Sequence, residues 1–163
     1  MDAESDLPIG YMERTRLYYR ALGYDKDYVW SHHDEVPFAR LDKPLSEARI
    51  GLVTTASAPD LSNLDDKGRK QVWSGETGRP PDALYTENLA WDKDSTHTRD
   101  RESFLPIDTV NAVAADGLVK GLTRRFHGVP TVYSQRQTID ADAPEIARRI
   151  SEDGADAVIL TPL

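Results

Sequence analysis

Residues 156–163 read Asp156-Ala-Val-Ile-Leu-Thr-Pro-Leu163, an apolar run with the length of one β-strand. Such a run, without polar alternation, is typical of a buried parallel strand. A second run of this kind is Arg49-Ile-Gly-Leu-Val-Thr-Thr55. The run over residues 49–55 ends in Thr54 and Thr55, and Thr161 precedes the final Pro162-Leu163 of the other run. Open α/β sheets form their ligand sites at the carboxyl ends of strands. The two runs therefore predict a parallel sheet with a ligand site at this edge.

Two helical patterns and one short strand candidate lie between these runs. Asp108 is the expected N-cap of the first helix, and either Asp140 or Asp142 is expected to cap the second. Gly154 has the position of a C′ glycine after the second helix, and residues 129–134 are the strand candidate between the helices. Alternating strands and helices imply right-handed parallel crossovers. We therefore expect an α/β fold, a small doubly wound, mainly parallel sheet with helices on both faces.

Two other regions flank or interrupt this core. Residues 11–22 have the apolar spacing of an amphipathic helix followed by Gly23, and residues 1–48 are expected to form this helix and an irregular arm. Residues 56–106 show no sustained periodicity and are too long for an ordinary strand-to-helix connection, although their tryptophans indicate an ordered excursion. We predict one domain over residues 1–163, in which residues 49–163 form the sheet core with the inserted excursion.

Composition narrows the classes of partner. The 28 acidic and 20 basic residues give a formal net charge of −8, which disfavours nucleic acid or an anionic membrane as the main partner. The amino terminus lacks the pattern of a secretory signal, and no apolar run approaches the roughly 18 residues needed to cross a bilayer. The chain contains no cysteine. We expect a cytoplasmic protein that binds a small-molecule substrate.

The polar residues at the predicted strand ends are the first candidate site. Thr54 and Thr55 end the first strand, and Thr161 ends the last. Residues 124–136 contain His127 before the strand candidate and further hydrogen-bonding side chains along and after it, which suit a carboxylate or phosphate. The alternative is structural, because hydroxyls at strand ends also cap helices and a histidine at a turn is often satisfied locally. The chain has no P-loop, dinucleotide fingerprint, GxSxG, HExxH or CxxC motif.

A metal site is the second candidate. Residues 92–103 combine carboxylates, one imidazole and two guanidinium groups, which suits either a hard cation or a plain solvated loop. The segment is not an EF-hand, because His97 replaces the glycine and Ser103 the glutamate that such a loop needs. The possible ligands are Asp92, Asp94 and His97, with His32 or His33. The alternative hypothesis is therefore a non-redox metal- or small-molecule-binding protein, or a structural subunit whose final strand pairs with another chain.

Several segments together carry a family resemblance. They are residues 11–24 and 35–38, Lys43-Pro-Leu-Ser-Glu-Ala-Arg-Ile-Gly-Leu-Val-Thr-Thr55, Phe126-His-Gly-Val-Pro-Thr-Val-Tyr-Ser134 and Glu152-Asp-Gly-Ala-Asp-Ala-Val-Ile-Leu-Thr161. In combination they resemble the selenoprotein B family of glycine, sarcosine, betaine and D-proline reductases. The resemblance implies an oxidoreductase that cleaves a carbon–nitrogen bond of an amino acid or betaine-type substrate. In the chemistry that the resemblance implies, a selenocysteine or cysteine attacks carbon and a dithiol system restores the reduced enzyme.

The resemblance also implies where the reactive group lies. In that family a selenocysteine or cysteine directly follows a strand similar to residues 157–163. We therefore expect the codon after Leu163 to be UGA for selenocysteine, or a partner chain to supply the thiol, so that this chain alone is inactive and holds no cofactor. The expected partners are other reductase subunits in an oligomer. In this hypothesis His127, as proton donor, and Tyr133 are catalytic. Substrate binding is assigned to Thr54, Thr55, Arg101, Arg136 and Thr161.

Overall fold

The structure is a computed structural model that describes residues 10–27, 29, 32, 34–87, 98–132 and 134–163. Contacts divide the chain into two compact units, residues 1–39 and 40–163. The first unit contains helix α1 (Tyr11–Ala21), none of whose residues is buried. Gly23 follows it with φ +88°, as the sequence predicts for a C′ glycine. The expectation of a single domain stays a prediction.

The second unit contains one sheet. Its strands are β1 (Arg49–Thr54), β2 (Trp73–Glu76), β3 (Gly121–Leu122), β4 (Arg125–Gly128) and β5 (Ala157–Thr161). On one side β1 pairs in parallel with β3 and then β4, and it also pairs in parallel with β5. Strand β2 pairs with β4 antiparallel. The predicted α/β class with a mainly parallel sheet is confirmed.

Two helical stretches pack on this sheet. Helix α2 (Ile107–Ala115) precedes β3, and a continuous stretch before β5 consists of α3 (Gln135–Gln137), a π-helical turn (Thr138–Asp142) and α4 (Ala143–Glu152). Ile50 and Leu52 share a buried cluster with Ile107 of α2, whereas His127 on the other face contacts Asp153 just after α4. None of the described helices combines the length and the apolar character needed to span a lipid bilayer.

The predicted strand at residues 129–134 is wrong. The strand in this region is β4, which ends at Gly128, so His127 lies inside a strand instead of before one. Val129 makes one more sheet contact by donating its N–H to the Thr54 carbonyl at 2.9 Å. Pro130 has no N–H with which to continue the ladder, which explains why the strand ends earlier than its β-branched neighbours suggest.

The excursion over residues 56–106 is not wholly irregular, because it contributes strand β2. Trp73 packs edge-to-face on Phe126, and its indole N–H donates to the Ala56 carbonyl at 3.0 Å. Gly75 and Gly128 leave the space that these two rings occupy. The strand sequence Trp-Ser-Gly-Glu has no apolar alternation, so only its pairing with β4 makes it a strand.

The predicted N-cap of α2 is wrong. Pro106 is the N-cap, and Asp108 lies inside the first turn. The carboxylate of Glu102 supplies the capping oxygens, since it accepts the backbone N–H groups of Asp108 at 3.2 Å and Thr109 at 2.9 Å. A capping acceptor from six or seven residues upstream depends on the fold of the preceding loop, so the local sequence does not reveal it.

The predicted cap of the last helix is confirmed in position, since Asp142 is the N-cap residue of α4 and Pro144 lies in its first turn, but the Asp142 side chain makes no capping bond. The helical stretch itself begins earlier, at Gln135, where the Ser134 hydroxyl accepts the N–H of Gln137. The π-helical turn joins this first segment to α4. The other end agrees with the prediction, because Gly154 follows the helix with φ +68°.

Strand β5 is parallel as predicted, but the expectation that it is buried is wrong. Val158, Ile159 and Leu160 are 41%, 42% and 60% exposed. Of the described strands, only β1 pairs with β5, which therefore lies at an edge of the sheet. An apolar strand is buried only where neighbouring elements cover both of its faces, and its composition alone does not show whether they do.

Candidate functional site

The carboxyl ends of three strands meet at Thr54. In the sheet register Thr54 lies opposite Gly128 of β4 on one side and opposite Thr161 of β5 on the other. The structure thus brings together Thr54 and Thr161, two of the residues that the sequence assigned to one site. Carboxyl edges of this kind are where α/β proteins usually form ligand sites.

Hydroxyl groups close this edge around the final residues. The Thr55 hydroxyl accepts the N–H of Leu163 at 2.8 Å, and the Thr131 hydroxyl donates to the Thr55 carbonyl at 3.3 Å. Thr54 is fully buried and its hydroxyl accepts the N–H of Ala56, so Thr54 does not line an open crevice. Thr55 and Thr161 are half-buried and remain the accessible hydroxyls of the pair of strands.

The two predicted substrate arginines have different environments. Arg101 is 11% exposed in its side chain and bonds the Glu102 and Asp108 carboxylates at 2.8 and 2.5 Å. It also donates to the Pro81 carbonyl at 3.0 Å, so its guanidinium is engaged within the protein. Arg136 is exposed on the first turn after Ser134. Of the two, Arg136 is the one with a guanidinium open to solvent.

Most of the predicted metal ligands lie in parts of the chain that the structure does not describe. Asp92, Asp94, His97 and His33 lie outside the described residues, as does the predicted catalytic Tyr133. His32 is exposed, with its Nε2 atom 3.0 Å from the Asp34 carboxylate. Within the described ranges, no group of three or more His, Cys, Asp or Glu side chains is arranged to hold a metal ion.

His127 is the centre of a buried polar network. Its Nδ1 atom is 2.8 Å from the Ser74 hydroxyl of β2, and its Nε2 atom is 3.1 Å from the Asp153 carboxylate after α4. The side chains of His127 and Asp153 are only 1% and 7% exposed. Both ring nitrogens are therefore occupied, and His127 does not line an open crevice.

Two arginines complete this network. Arg125 of β4 bonds both carboxylate oxygens of Asp153, at 2.9 and 3.0 Å. Arg149 of α4 donates to the Ser74 hydroxyl at 2.9 Å and bonds Glu145 one turn earlier on its own helix. The network thus joins β2, β4 and α4, and it balances the buried carboxylate with a guanidinium.

The surroundings determine the protonation of His127. Burial lowers the pKa of its imidazole, while the Asp153 carboxylate acts in the opposite direction and Arg125 lowers it further. A neutral ring has one N–H and one acceptor nitrogen. Since Asp153 is the acceptor at Nε2, the network assigns the proton to Nε2. Nδ1 then accepts the Ser74 hydroxyl proton, and Arg149 donates to the same hydroxyl oxygen.

The arrangement can polarise the Ser74 hydroxyl through a neutral imidazole and a carboxylate. Sequence reasoning missed Ser74, Arg125, Arg149 and Asp153. One signal existed for Asp153, because it is the residue before the C′ glycine, at the negative end of the helix dipole, where a carboxylate needs a cationic or N–H partner. No local signal marks Ser74, since its strand is recognisable only from its pairing.

A shallow cavity of about 330 Å³ opens beside β2. It is bordered by Trp73, Gly75 and Phe126, with the charged residues Asp60 and Arg79. None of the described residues that the sequence assigned to a site lines this cavity. The cavity is therefore separate from the carboxyl edge, but it adjoins the His127 network, because Ser74 lines it.

We expect stability to fall below pH 6.5 because of His127. Its pKa is lowered in the folded state, so the unfolded chain takes up the proton first as the pH falls through about 6.5. The stability that neutral His127 contributes is fully present above about pH 6.5. It is lost as the pH falls from there toward the lower pKa of the folded state, with a slope of at most about 1.4 kcal/mol per pH unit for one proton. Urea unfolding between pH 5 and 8 measures it.

The control for this prediction is His127→Gln, compared with the wild type at each pH. Other titrating groups contribute equally to both proteins, including Asp142, whose pKa burial raises. The difference in free energy of unfolding between the two proteins is expected to change with pH below 6.5 and to be constant above it. A difference that is independent of pH would contradict a neutral buried His127.

No protein-family model matches this chain, and neither a curated protein nor a solved structure matches it.

Proposed function

We propose that this chain is part or a subunit of a selenoprotein B-like reductase, with its selenocysteine or cysteine lying just beyond Leu163 or on a partner. The observation that carries the proposal is the parallel pairing of β1 and β5, which places Thr54 opposite Thr161 at one carboxyl edge. The Thr55 hydroxyl holds the Leu163 N–H at 2.8 Å. A selenol or thiol reaching this position would lie where α/β sheets bind ligands.

The proposed reaction exchanges a carbon–nitrogen bond for a carbon–hydrogen bond. The selenolate or thiolate forms a bond to carbon, the carbon–nitrogen bond breaks, and its electron pair leaves with the amine, which takes up a proton. A dithiol then supplies two electrons and becomes a disulfide, while carbon takes up a proton and the selenol or thiol is regenerated. A selenol is more acidic than a thiol, so a larger fraction of it is ionised to the nucleophilic anion at neutral pH.

The described contacts change three of the roles expected from the sequence. Thr54 has no substrate-binding role in the proposal, because it is fully buried. We assign the substrate carboxylate to Arg136 instead of Arg101, because Arg136 is exposed and Arg101 is held by two carboxylates. We propose His127 as a positioning residue, because it is buried and both of its ring nitrogens are bonded. Thr55 and Thr161 keep their substrate-binding roles in the proposal, and Tyr133 keeps its catalytic role. We place the protein in the cytoplasm, where thiols stay reduced.

The decisive experiment reads the gene beyond codon 163 and measures the intact mass of the native protein with and without selenium supply. We expect a UGA codon, or an adjacent reading frame that encodes a cysteine-bearing or selenocysteine-bearing chain. The chain alone should not reduce glycine, sarcosine, betaine or D-proline with dithiothreitol, whereas addition of that thiol-bearing polypeptide should produce turnover. A UAA or UAG stop with no such frame nearby would refute the proposal.

Arg136→Gln provides a sharper test of the site once turnover is established. The substitution should raise KM for a carboxylate substrate while leaving kcat nearly unchanged, because the lost contact stabilises the bound substrate and the transition state equally. The matched control is Arg40→Gln, which removes another exposed guanidinium. Elemental analysis tests the alternative metal-binding function, which would be favoured by a stoichiometric metal that is lost in His97→Ala.

A further inference from the structure

Ser74, His127 and Asp153 are joined in series by two hydrogen bonds. The Ser74 hydroxyl oxygen is 2.8 Å from Nδ1 of His127, and Nε2 of the same ring is 3.1 Å from the Asp153 carboxylate. A serine hydroxyl, an imidazole and a carboxylate in this order are the groups by which many enzymes activate a serine as a nucleophile. Such a set is recognised by its geometry, whatever the order of its residues along the chain.

The protonation of the imidazole suits a general base. Because Asp153 holds the proton on Nε2, Nδ1 is the ring nitrogen that can take the proton of the Ser74 hydroxyl. The two ring nitrogens are exchanged relative to serine proteases, but each keeps its role. Burial lowers the pKa of the ring, so the base form is present at neutral pH. The Asp153 carboxylate then stabilises the imidazolium that forms when the ring takes up a proton.

Arg149 places a positive charge on the other side of the same hydroxyl. Its Nη1 atom donates to the Ser74 oxygen at 2.9 Å, and its Nε atom is held by the Glu145 carboxylate at 2.6 Å. A guanidinium at this distance stabilises the negative charge that develops on the oxygen as the hydroxyl loses its proton. The Ser74 oxygen therefore lies between a proton acceptor and a cation.

Ser74 also lies where a small molecule can approach it. Strand β2 is the last strand on its side of the described sheet, and Ser74 is half-buried. It borders the cavity of about 330 Å³, together with Trp73, Gly75 and Phe126. Ligand pockets usually measure about 300–1,000 Å³ and are mostly apolar. The volume and the aromatic lining suit a small apolar acyl group that approaches Ser74 from the outer edge of β2.

We propose that Ser74 is the nucleophile of a second site, which hydrolyses small carboxylic esters with His127 as general base. The Ser74 oxygen forms a bond to the carbonyl carbon while its proton passes to Nδ1 of His127. The ester carbon–oxygen bond then breaks, and the leaving oxygen takes this proton and departs as an alcohol. Water attacks the acyl-serine and gives a proton to Nδ1, which returns it to the Ser74 oxygen as the carboxylic acid leaves. The inference does not depend on the reductase assignment.

The first test measures p-nitrophenol release from p-nitrophenyl acetate and, by intact mass, labelling with a fluorophosphonate. We expect one phosphonyl group per chain, and loss of both reactions in Ser74→Ala. His127→Gln should slow both by at least about 100-fold, because a general base is lost. The matched control is Ser62→Ala, which removes another serine at the same cavity and should react as the wild type does. Release or labelling that persists in Ser74→Ala, or no reaction of the wild type, would overturn the proposal.

Ser74→Cys tests the activation of this position without relying on turnover. The chain contains no cysteine, so iodoacetamide modifies only the introduced thiol. We expect its rate of alkylation to stay nearly constant from pH 8.5 to 6.5, because His127 and Arg149 favour the thiolate. The thiol of Ser62→Cys should react about ten-fold more slowly for each pH unit below an ordinary pKa of about 8.5.

Circular dichroism of both cysteine variants confirms folding before alkylation. Equal pH profiles of the two thiols would show that the bonds of Ser74 serve structure alone. A Ser74→Cys thiol that reacts only after unfolding in urea would show that no reagent reaches this position. Either result contradicts the proposed nucleophile, and neither bears on the proposed reductase.

Discussion

Asp153→Ala is expected to lower the free energy of unfolding by about 2–4 kcal/mol, because it removes the buried carboxylate that bonds both Arg125 and His127. Breaking a fully buried pair costs more, but the Arg125 side chain is 25% exposed and regains some hydration. Chemical denaturation followed by circular dichroism at pH 7.5 measures the change. The same variant should also weaken the contact between β4 and the end of α4, where the Arg125–Glu152 pair at 3.6 Å remains.

Asp116→Ala is the matched control, because Asp116 is also the residue that ends a helix, α2, but is exposed. Its removal should change stability by less than about 0.5 kcal/mol, since it takes away a carboxylate from the negative end of a helix dipole and breaks no buried contact. Equal effects of the two substitutions would show that the His127 network does not stabilise the fold.

Gly128→Ala is expected to cost about 3 kcal/mol or more, because a Cβ atom there would lie 1.8 Å from the Trp73 indole nitrogen. The indole cannot move away without losing its bond to the Ala56 carbonyl and its packing on Phe126. The substitution therefore separates β2 from β4, which are the strands that bring Ser74 to His127. Thermal and urea unfolding both measure the loss, and the Ser74–His127 pair should be disrupted with it.

Gly78→Ala is the control, since nothing lies within 4 Å of a Cβ atom at that position and its backbone is not left-handed. It should be close to neutral. A double-mutant cycle sharpens the result, because Trp73→Leu removes the ring that Gly128→Ala meets and should make the second substitution less costly. Additive effects of the two substitutions would contradict the close approach.

Several elements of the fold were predictable from short-range patterns. Residues 49–55 and 156–163 identify β1 and β5 because uninterrupted apolar runs of this length bounded by polar residues suit parallel strands. Gly23 and Gly154 mark two helix ends, because the left-handed conformation after a helix favours glycine. The position of Thr54 and Thr161 at the same edge of the sheet follows from the parallel arrangement of the strands that end in these residues.

Other parts required contacts between residues distant in sequence. Strand β2 has no apolar alternation and exists through its pairing with β4, so Ser74 gave no sign of its role. The caps of α2 and of the stretch from Gln135 come from Glu102 and Ser134, which the pattern inside each helix does not specify. The exposure of β5 likewise depends on the elements beside it, and the apolar composition of the strand does not indicate whether such elements are present.

The amino-acid sequence by itself determined the α/β class, the two principal parallel strands and the hydroxyl residues at their carboxyl ends, because periodicity and chain direction are local properties. Only the tertiary structure decided that His127 is buried between Ser74 and Asp153, that Arg101 is held by carboxylates and that β5 pairs with β1 alone among the described strands. The physical reason is that burial, protonation and ion pairing depend on the groups that folding brings into contact, and these groups can lie far apart along the chain, as in the Lys43–Asp156 ion pair with a separation of 113 residues.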